Sequence, residues 1–329
     1  MATLASLSNL NGSDRGAAAL ATFLERSFVL RFFEQQSAFE QDATAFDYLP
    51  VDGTANVQTR AIGAGFTASA KTPPARQNGQ LAIYGDAIEI DRTHLADSAK
   101  GLRDLDTWLA GESRQRVAAT ASYMDRAVLA DPGTGSTMKG LAAILNGTND
   151  IPGFAGVKGV LNAKTLMGGT NSFDLTSTAA ATAAAQDAFI EGLYKALVEV
   201  PDASAILLNR TLYGRIYSIA RRAHILGESR DLFGRPVATF NGVPLVAVPD
   251  TAITNTEPDD AGTPANNTTS LYIVRPGEGS FSLVTNEGLY YKEFEQQEGK
   301  PYSKENYEIR LAWKINDKEA VRRVRNIKA

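Results

Sequence analysis

The chain has no cysteine in 329 residues and only two histidines. Without cysteine there are no disulfides, no thiol nucleophile and no thiolate metal site, and the composition suits a reducing cytoplasm. His94 and His224 lie far apart, and neither sits in a Glu-x-x-His or His-x-x-x-His pattern. A zinc site would therefore need carboxylates for most of its ligands. A basic excess is also missing: the net charge is −4, which argues against a dedicated nucleic-acid-binding module. No apolar run approaches the ~20 residues of a membrane span. The opening MATLASLSNLNGSDRG lacks the basic-then-apolar pattern of a secretory signal. The Asn-X-Thr triplets at Asn146, Asn209 and Asn267 are accordingly read as chance matches.

Recognisable chemical motifs are equally scarce. GAGF (63–66) lacks the third glycine and the strand–helix setting of a dinucleotide fingerprint. GTGSTMKG (133–140) has glycines and a lysine but no Gly-Lys-Ser/Thr, and it follows a helix pattern. No Gly-x-Ser-x-Gly elbow anchors a hydrolase triad. Asp86, Glu89, Asp91 and Asp97 cluster in sequence, and an acid–base pair among them would be the one enzymatic reading. Their simpler reading is solvated faces and ion pairs between subunits. The sequence thus assigns no catalytic residue, no cofactor and no metal.

What is present is a foldable core. Hydrophobic residues make up 43% and charged residues 21%, a globular mix. Leu20, Phe23, Leu24, Phe28 and Phe32 fall on one face of an N-terminal helical segment, which docks either on its own core or on a neighbouring subunit. Residues 51–91 change character, with small residues, Pro73-Pro74 and Asn78-Gly79 between alternating runs (Val57, Thr59, Ala61; Leu81, Ile83). These predict two long strands running out to a turn and back. Such a ribbon buries little within one chain and needs another subunit to cover it.

A short helical turn is expected near 92–100. Residues 104–130 then carry the clearest helix, with Leu105, Leu109, Ser113, Val117, Ala121, Met124 and Val128 on one stripe. Glu112, Arg114, Gln115, Arg116 and Asp125 form its polar face, and Asp131-Pro132-Gly133 ends it. Residues 177–199 predict a second helix capped by Ser177 or Thr178, 203–209 a buried strand, and 210–223 a third helix. Asn241-Gly242 predicts a tight hairpin, whose Pro236, Pro244 and Pro249 point to edge strands. An exposed loop is expected over 251–269, and further strands over 270–296. Tyr307, Ile309, Leu311 and Trp313 alternate along a closing strand.

The order of these elements resembles the major capsid proteins of tailed bacteriophages, the Hong Kong 97-type capsid fold. QTRAIGAGFTASAKTPPARQNGQLAIYGDAIEIDR resembles the family's E-loop, and helix 104–130 followed by DPGTGSTMKGLAAIL its spine helix and the turn after it. ILLNRTLYGRIYSIA, LFGRPVATFNGVPLVAVPD and YEIRLAWKINDKEAVRRV resemble its strand–Asn–helix unit, strand pair and closing strand. The resemblance implies an α+β fold with an N-terminal arm (1–50), an E-loop (51–91), a P-domain with the spine helix (92–176), an A-domain (177–290) and a return to the P-domain (291–329). It implies a non-enzymatic shell subunit that assembles with itself into hexamers and pentamers around double-stranded DNA. Scaffolding, portal and decoration proteins are the further partners it suggests, with no membrane involved. The location it implies is the virion, after assembly in the host cytoplasm. The basic RRVRNIK tail (322–328) is read as a solvated edge or a weak contact to packaged DNA phosphate. Some relatives join an E-loop lysine to a neighbour's asparagine; Lys71 lies in the proposed loop, but nothing in the sequence selects its partner. An encapsulin-like compartment shell is the nearest alternative, and an α/β enzyme using the 86–97 carboxylates is the alternative of another class.

Overall fold

A computed structural model describes residues 3–51, 62, 75–91, 102–134, 136–168, 172–176, 183–223, 226–230, 236–258, 267–296 and 302–329. The chain opens with α1 (Leu4–Leu7), α2 (Asp14–Arg26) and α3 (Phe28–Gln35), then β1 (Phe39–Gln41), β2 (Ala45–Tyr48), β3 (Gln77–Gln80) and β4 (Ala82–Asp91). The long helix α4 (Leu102–Ala130) leads to α5 (Leu141–Ile144), β5 (Val160–Asn162), α6 (Ala163–Met167), β6 (Phe173–Asp174), α7 (Ala183–Val198), β7 (Ala205–Asn209) and α8 (Arg210–Arg222). Strands β8 (Leu226–Arg230), β9 (Pro236–Phe240), β10 (Val243–Val248), β11 (Thr269–Val274), β12 (Phe281–Thr285), β13 (Leu289–Gln296), β14 (Tyr302–Ile315) and β15 (Val321–Lys328) complete it. The expected Val57–Ala61 strand, the turn near 92–100 and the Ser177 or Thr178 cap lie outside the described residues.

Two sheets divide the strands. The first runs β1-β12-β14-β13, with β4 along the other side of β14. Its inward face is the alternating row Tyr307, Ile309, Leu311 and Trp313, all buried as the spacing predicts. Helix α4 covers this row with Val117, Ala121, Met124 and Val128. Helix and strand run in the same direction, joined by three polar rungs. Ser113 Oγ donates to Glu305 Oε1 at 3.0 Å, the Thr120 and Tyr307 hydroxyls share a 3.1 Å bond, and Trp313 Nε1 donates to the Val128 carbonyl at 3.0 Å. The last rung satisfies one of the carbonyls that a helix end leaves unpaired.

The second sheet runs β5-β15-β11-β7-β10-β9-β8, with β6 also on β15. Ala205, Leu207, Tyr272 and Val274 face the first core, while Ile206, Leu208, Leu271 and Ile273 face a second core under α7 and α8. Burial on both faces explains why β7 is an unbroken apolar run. Both 177–290 and 291–329 feed both sheets: β12 joins the first, and β15 lies inside the second.

Three expectations need correction. Pro236, Pro244 and Pro249 do not mark edge strands, because β9 and β10 lie inside the sheet between β7 and β8. Pro236 is the first residue of its strand, Pro249 follows its strand, and β10 pairs with β7 only from Leu245 onward, so no proline is asked to donate to that ladder. The Asn241-Gly242 turn itself forms as predicted, with φ of 51° and 80°. In β4 the inward residues are Ala82, Tyr84, Ile88 and Ile90, while Ile83 points out. Asp125, expected on the polar face of α4, is buried.

Asp125 is what turns the N-terminal segment. The expected single helix is two, broken at Ser27, which ends α2 and caps α3. Asp125 Oδ1 accepts from Ser27 Oγ at 2.6 Å and Val29 N at 3.0 Å, and Oδ2 accepts from Phe28 N at 2.9 Å. Burial pushes the Asp125 carboxyl above its ordinary value, against the pull of these bonds. The turned segment docks on its own core. Phe33 meets Phe281 and Trp313 at ring distances of 5.5 and 5.2 Å, and Phe23 is fully buried. Next to it, Glu40 of β1 accepts from Lys314 Nζ at 2.6 Å, Ser282 Oγ at 2.7 Å and Gly279 N at 3.2 Å. Burial alone would raise the Glu40 carboxyl, but these partners hold it below the ordinary value of 4.5.

Asp125→Ala leaves three donors without an acceptor in a buried corner and is expected to cost about 2–4 kcal/mol in denaturant unfolding of the subunit; an unchanged midpoint would show that Asp125 does not hold the turn. The Glu40 prediction concerns pH. A carboxyl with a depressed folded value stabilises the fold above its unfolded value and loses that contribution as pH falls through the folded value. Melting temperature should therefore drop on acidification below about pH 4.5. Glu40→Gln should lower stability at pH 7 by about 1–3 kcal/mol and flatten that acid limb.

Candidate functional site

The acidic cluster near the start of α4 does not converge. By strand parity Asp86 and Glu89 point to opposite faces of β4, and each is matched separately, Asp86 with Arg116 at 3.3 Å and Glu89 with Lys304 at 3.8 Å. Asp91 ends the strand. His94, Asp97, His224, Lys71 and the GAGF stretch lie outside the described residues. No group of three potential metal ligands occurs among the described residues.

The Gly-rich 133–140 connection spends its polar groups on itself. The Asp131 carboxylate accepts from Gly133 N at 2.8 Å and Thr137 Oγ1 at 2.9 Å, and Met138 N donates to the Tyr84 hydroxyl at 3.0 Å. Gly140 N donates to the Asp131 carbonyl at 2.8 Å, and a Cβ on Gly140 would sit 2.5 Å from Asp131 N. Glycine is needed there for the chain to fold back onto the end of α4, and a phosphate cradle would need those amides free.

The basic tail is not a solvated edge. Strand β15 lies inside the second sheet, and Arg322 and Arg323 are 5% and 8% exposed. Arg323 pairs with Glu257 at 2.9 Å, donates to Ser270 Oγ at 3.0 Å and to the carbonyls of Ala142 and Leu145 at 2.9 and 3.0 Å, and lies over the Tyr272 ring. Burial works against its charge, but Tyr272 and Glu257 outweigh that and raise its affinity for the proton. Arg325 donates to the Asn146 carbonyl at 3.0 Å. These arginines tie the α5 region to the sheet, and the two buried ones are closed to a phosphate backbone. Local pattern carries no sign of this, because the carboxylate that neutralises Arg323, on Glu257, lies in another segment.

A second buried charge also went unread. Glu305 occupies the inward row of β14 and is 1% exposed. Its Oε1 accepts from Ser113 Oγ and from the Tyr291 hydroxyl. Burial first, and the bond to Glu305 second, push the Tyr291 hydroxyl far above its ordinary value. Tyr307 beside it is pushed up to about 12, mainly by burial.

The surface supplies the remaining candidates. Large apolar side chains stand in solvent at Leu49, Val51, Ile62, Ile83, Trp108, Tyr123 and Val198. Trp108 and Tyr123 belong to α4 and Ile83 to the outer face of β4, so the long helix and the sheet beside it both present contact area outward. Among the described residues, no helix is long and apolar enough to cross a membrane.

No protein-family model matches the chain, and no curated protein matches it in sequence. Solved structures do match it in three dimensions. The capsid of an empty GTA particle aligns with a TM-score of 0.56 at 19% identity, over 90% of this chain and 89% of that one. The mature capsid of bacteriophage PhiM1 gives 0.56's near equal, 0.55, at 12% identity over 90% and 86% of the two chains. An encapsulin complex from Synechococcus elongatus gives 0.53 at 11% identity over 98% and 90%. The two sheets, the long helix laid along β14 and the matches over nine-tenths of the chain together identify an α+β protein with the Hong Kong 97-type fold of phage capsids.

Proposed function

We propose that this chain is a major capsid protein, a subunit that assembles with itself into hexamers and pentamers of an icosahedral shell enclosing double-stranded DNA. The observation that carries the reading is the fold shared over 90% of this chain with the GTA and PhiM1 capsids. Exposed apolar side chains on α4 and β4 support it, since Trp108 is 55% and Ile83 57% exposed in the single chain and contact with another copy would cover them. Copies joined head to tail close into rings, and many modest contacts per subunit add up to a stable shell. The work is enclosure, with no catalytic role. Scaffolding, portal and decoration proteins are the further partners, and the shell's place is the virion, reached after assembly in the host cytoplasm. Contact with DNA is weak and non-specific on this reading, as the net charge of −4 suggests. Arg322 and Arg323 take no part in it. An encapsulin-like compartment is the second reading, favoured by the 98% of this chain that the encapsulin match covers.

Expression of the chain should give megadalton particles by size-exclusion chromatography and closed shells by negative-stain electron microscopy. A monomer or dimer at all concentrations would overturn the proposal. Mass spectrometry of particles from the native source separates the two shell readings, by portal and tail proteins with DNA in one case and a cargo enzyme in the other. Trp108→Glu should leave subunit melting within about 0.5 kcal/mol of the parent, as expected for a surface change, while shell yield falls at least tenfold. Replacing 63–74 by a short Gly-Ser linker should likewise spare the fold and abolish shells; normal shells would remove that segment from the assembly mechanism.

A further inference from the structure

Between α2 and α4 lies a cavity of about 190 Å³, with Glu305 among its lining residues. At ~30 Å³ per water it has room for about six waters. Buried Ala19, Val117 and Glu305 form its inner end, Ala18, Ala110 and Ser113 its walls, and exposed Asp14, Arg15 and Arg114 its mouth. Glu305 is unusual in this setting. Both of its hydrogen bonds fall on Oε1 and come from neutral hydroxyls. Its second oxygen has no hydrogen bond and no ion-pair partner among the described residues. The nearest cation is Arg15 at the mouth, which acts on Tyr291 but makes no ion pair with Glu305 among the described residues, so the second oxygen is left to whatever occupies the cavity.

We propose that this slot binds a protonated primary amine on an unbranched alkyl stem, with the ammonium on Glu305 Oε2 and the stem between the alanines. Competing cations fit less well. A divalent metal asks for six or more oxygens and a guanidinium for a fan of acceptors, whereas the inner end supplies one carboxylate oxygen and the wall beside it the Ser113 hydroxyl, already bonded to Glu305. The small walls Ala18, Ala19 and Ala110 leave a stem-width channel. The exposed Arg114 guanidinium at the mouth selects against a second positive charge on the outer end. A lysine side chain has this shape, and so does a free monoamine. A lysine from a second copy would make the slot an assembly contact, which rests on the shell reading; binding of a free amine does not.

The test titrates n-butylammonium into the dissociated subunit by calorimetry, with tetramethylammonium and 1,4-diaminobutane as comparisons. Saturable one-to-one binding of butylammonium is expected, weaker for the diamine and absent for the quaternary ion. Glu305→Gln should weaken it at least tenfold. Ala110→Met should do the same by filling the channel while leaving Glu305 in place, so the result survives if one variant folds poorly. An electron cryomicroscopy map of assembled shells then distinguishes the sources. A neighbour's lysine in the slot assigns it to assembly, and butylammonium binding with no protein in the slot assigns it to a free amine. No saturable binding together with only water in the slot would overturn the proposal, whatever the shells look like.

Discussion

The structure depends on one long contact, the packing of a 29-residue helix along a 14-residue strand. At ~1.5 Å per helical residue and ~3.3 Å per strand residue the two are each roughly 45 Å long, so each can cover the other end to end. Val117, Ala121, Met124 and Val128 close against Tyr307, Ile309, Leu311 and Trp313, and the three hydrogen-bonded rungs fix how far one slides along the other. Everything in the first core is fastened to this pair. β4 and β13 flank the strand, and α2 and α3 lie against the helix through Asp125.

Buried charge does the joining where apolar packing does not specify position. Asp125 sets the angle between α2 and α3, Glu40 fixes β1 on the sheet through Lys314, and Arg323 ties the second sheet to the α5 region. Each of these ions accepts or donates several hydrogen bonds, which is the condition under which a charge is tolerated inside a protein. Glu305 departs from that pattern, since among the described residues only one of its oxygens is satisfied, and it departs next to the cavity between α2 and α4. The difference between a fully bonded ion and a half-bonded one is what separates a structural joint from a binding site here.

The regular elements are legible in the sequence, and the buried ions are not. The helix ending at Ala130, the buried strand 205–209, the Asn241-Gly242 turn and the Tyr307–Trp313 row follow from periodicity and turn chemistry, which are local. Spacing puts Asp125 on the polar face of its helix, because nothing within a few residues reveals Ser27, 98 positions away. The arginines of β15 looked like a solvated tail for the same reason, their partners being Glu257, Ala142 and Leu145. The prolines misled in another way: they exclude a backbone donor at one position, and only the pairing register shows whether a donor was needed there.

The residues alone determined that this chain mixes helices and strands, that it lacks thiol chemistry, and that its helix 104–130 and strand 307–313 each have one face to bury, because those properties depend on composition and on spacing along the chain. The tertiary structure decided which sheet each strand joins, which charges go inside, and that a carboxylate faces a cavity. Those outcomes depend on segments far apart in sequence meeting in space, and local pattern carries no record of that meeting.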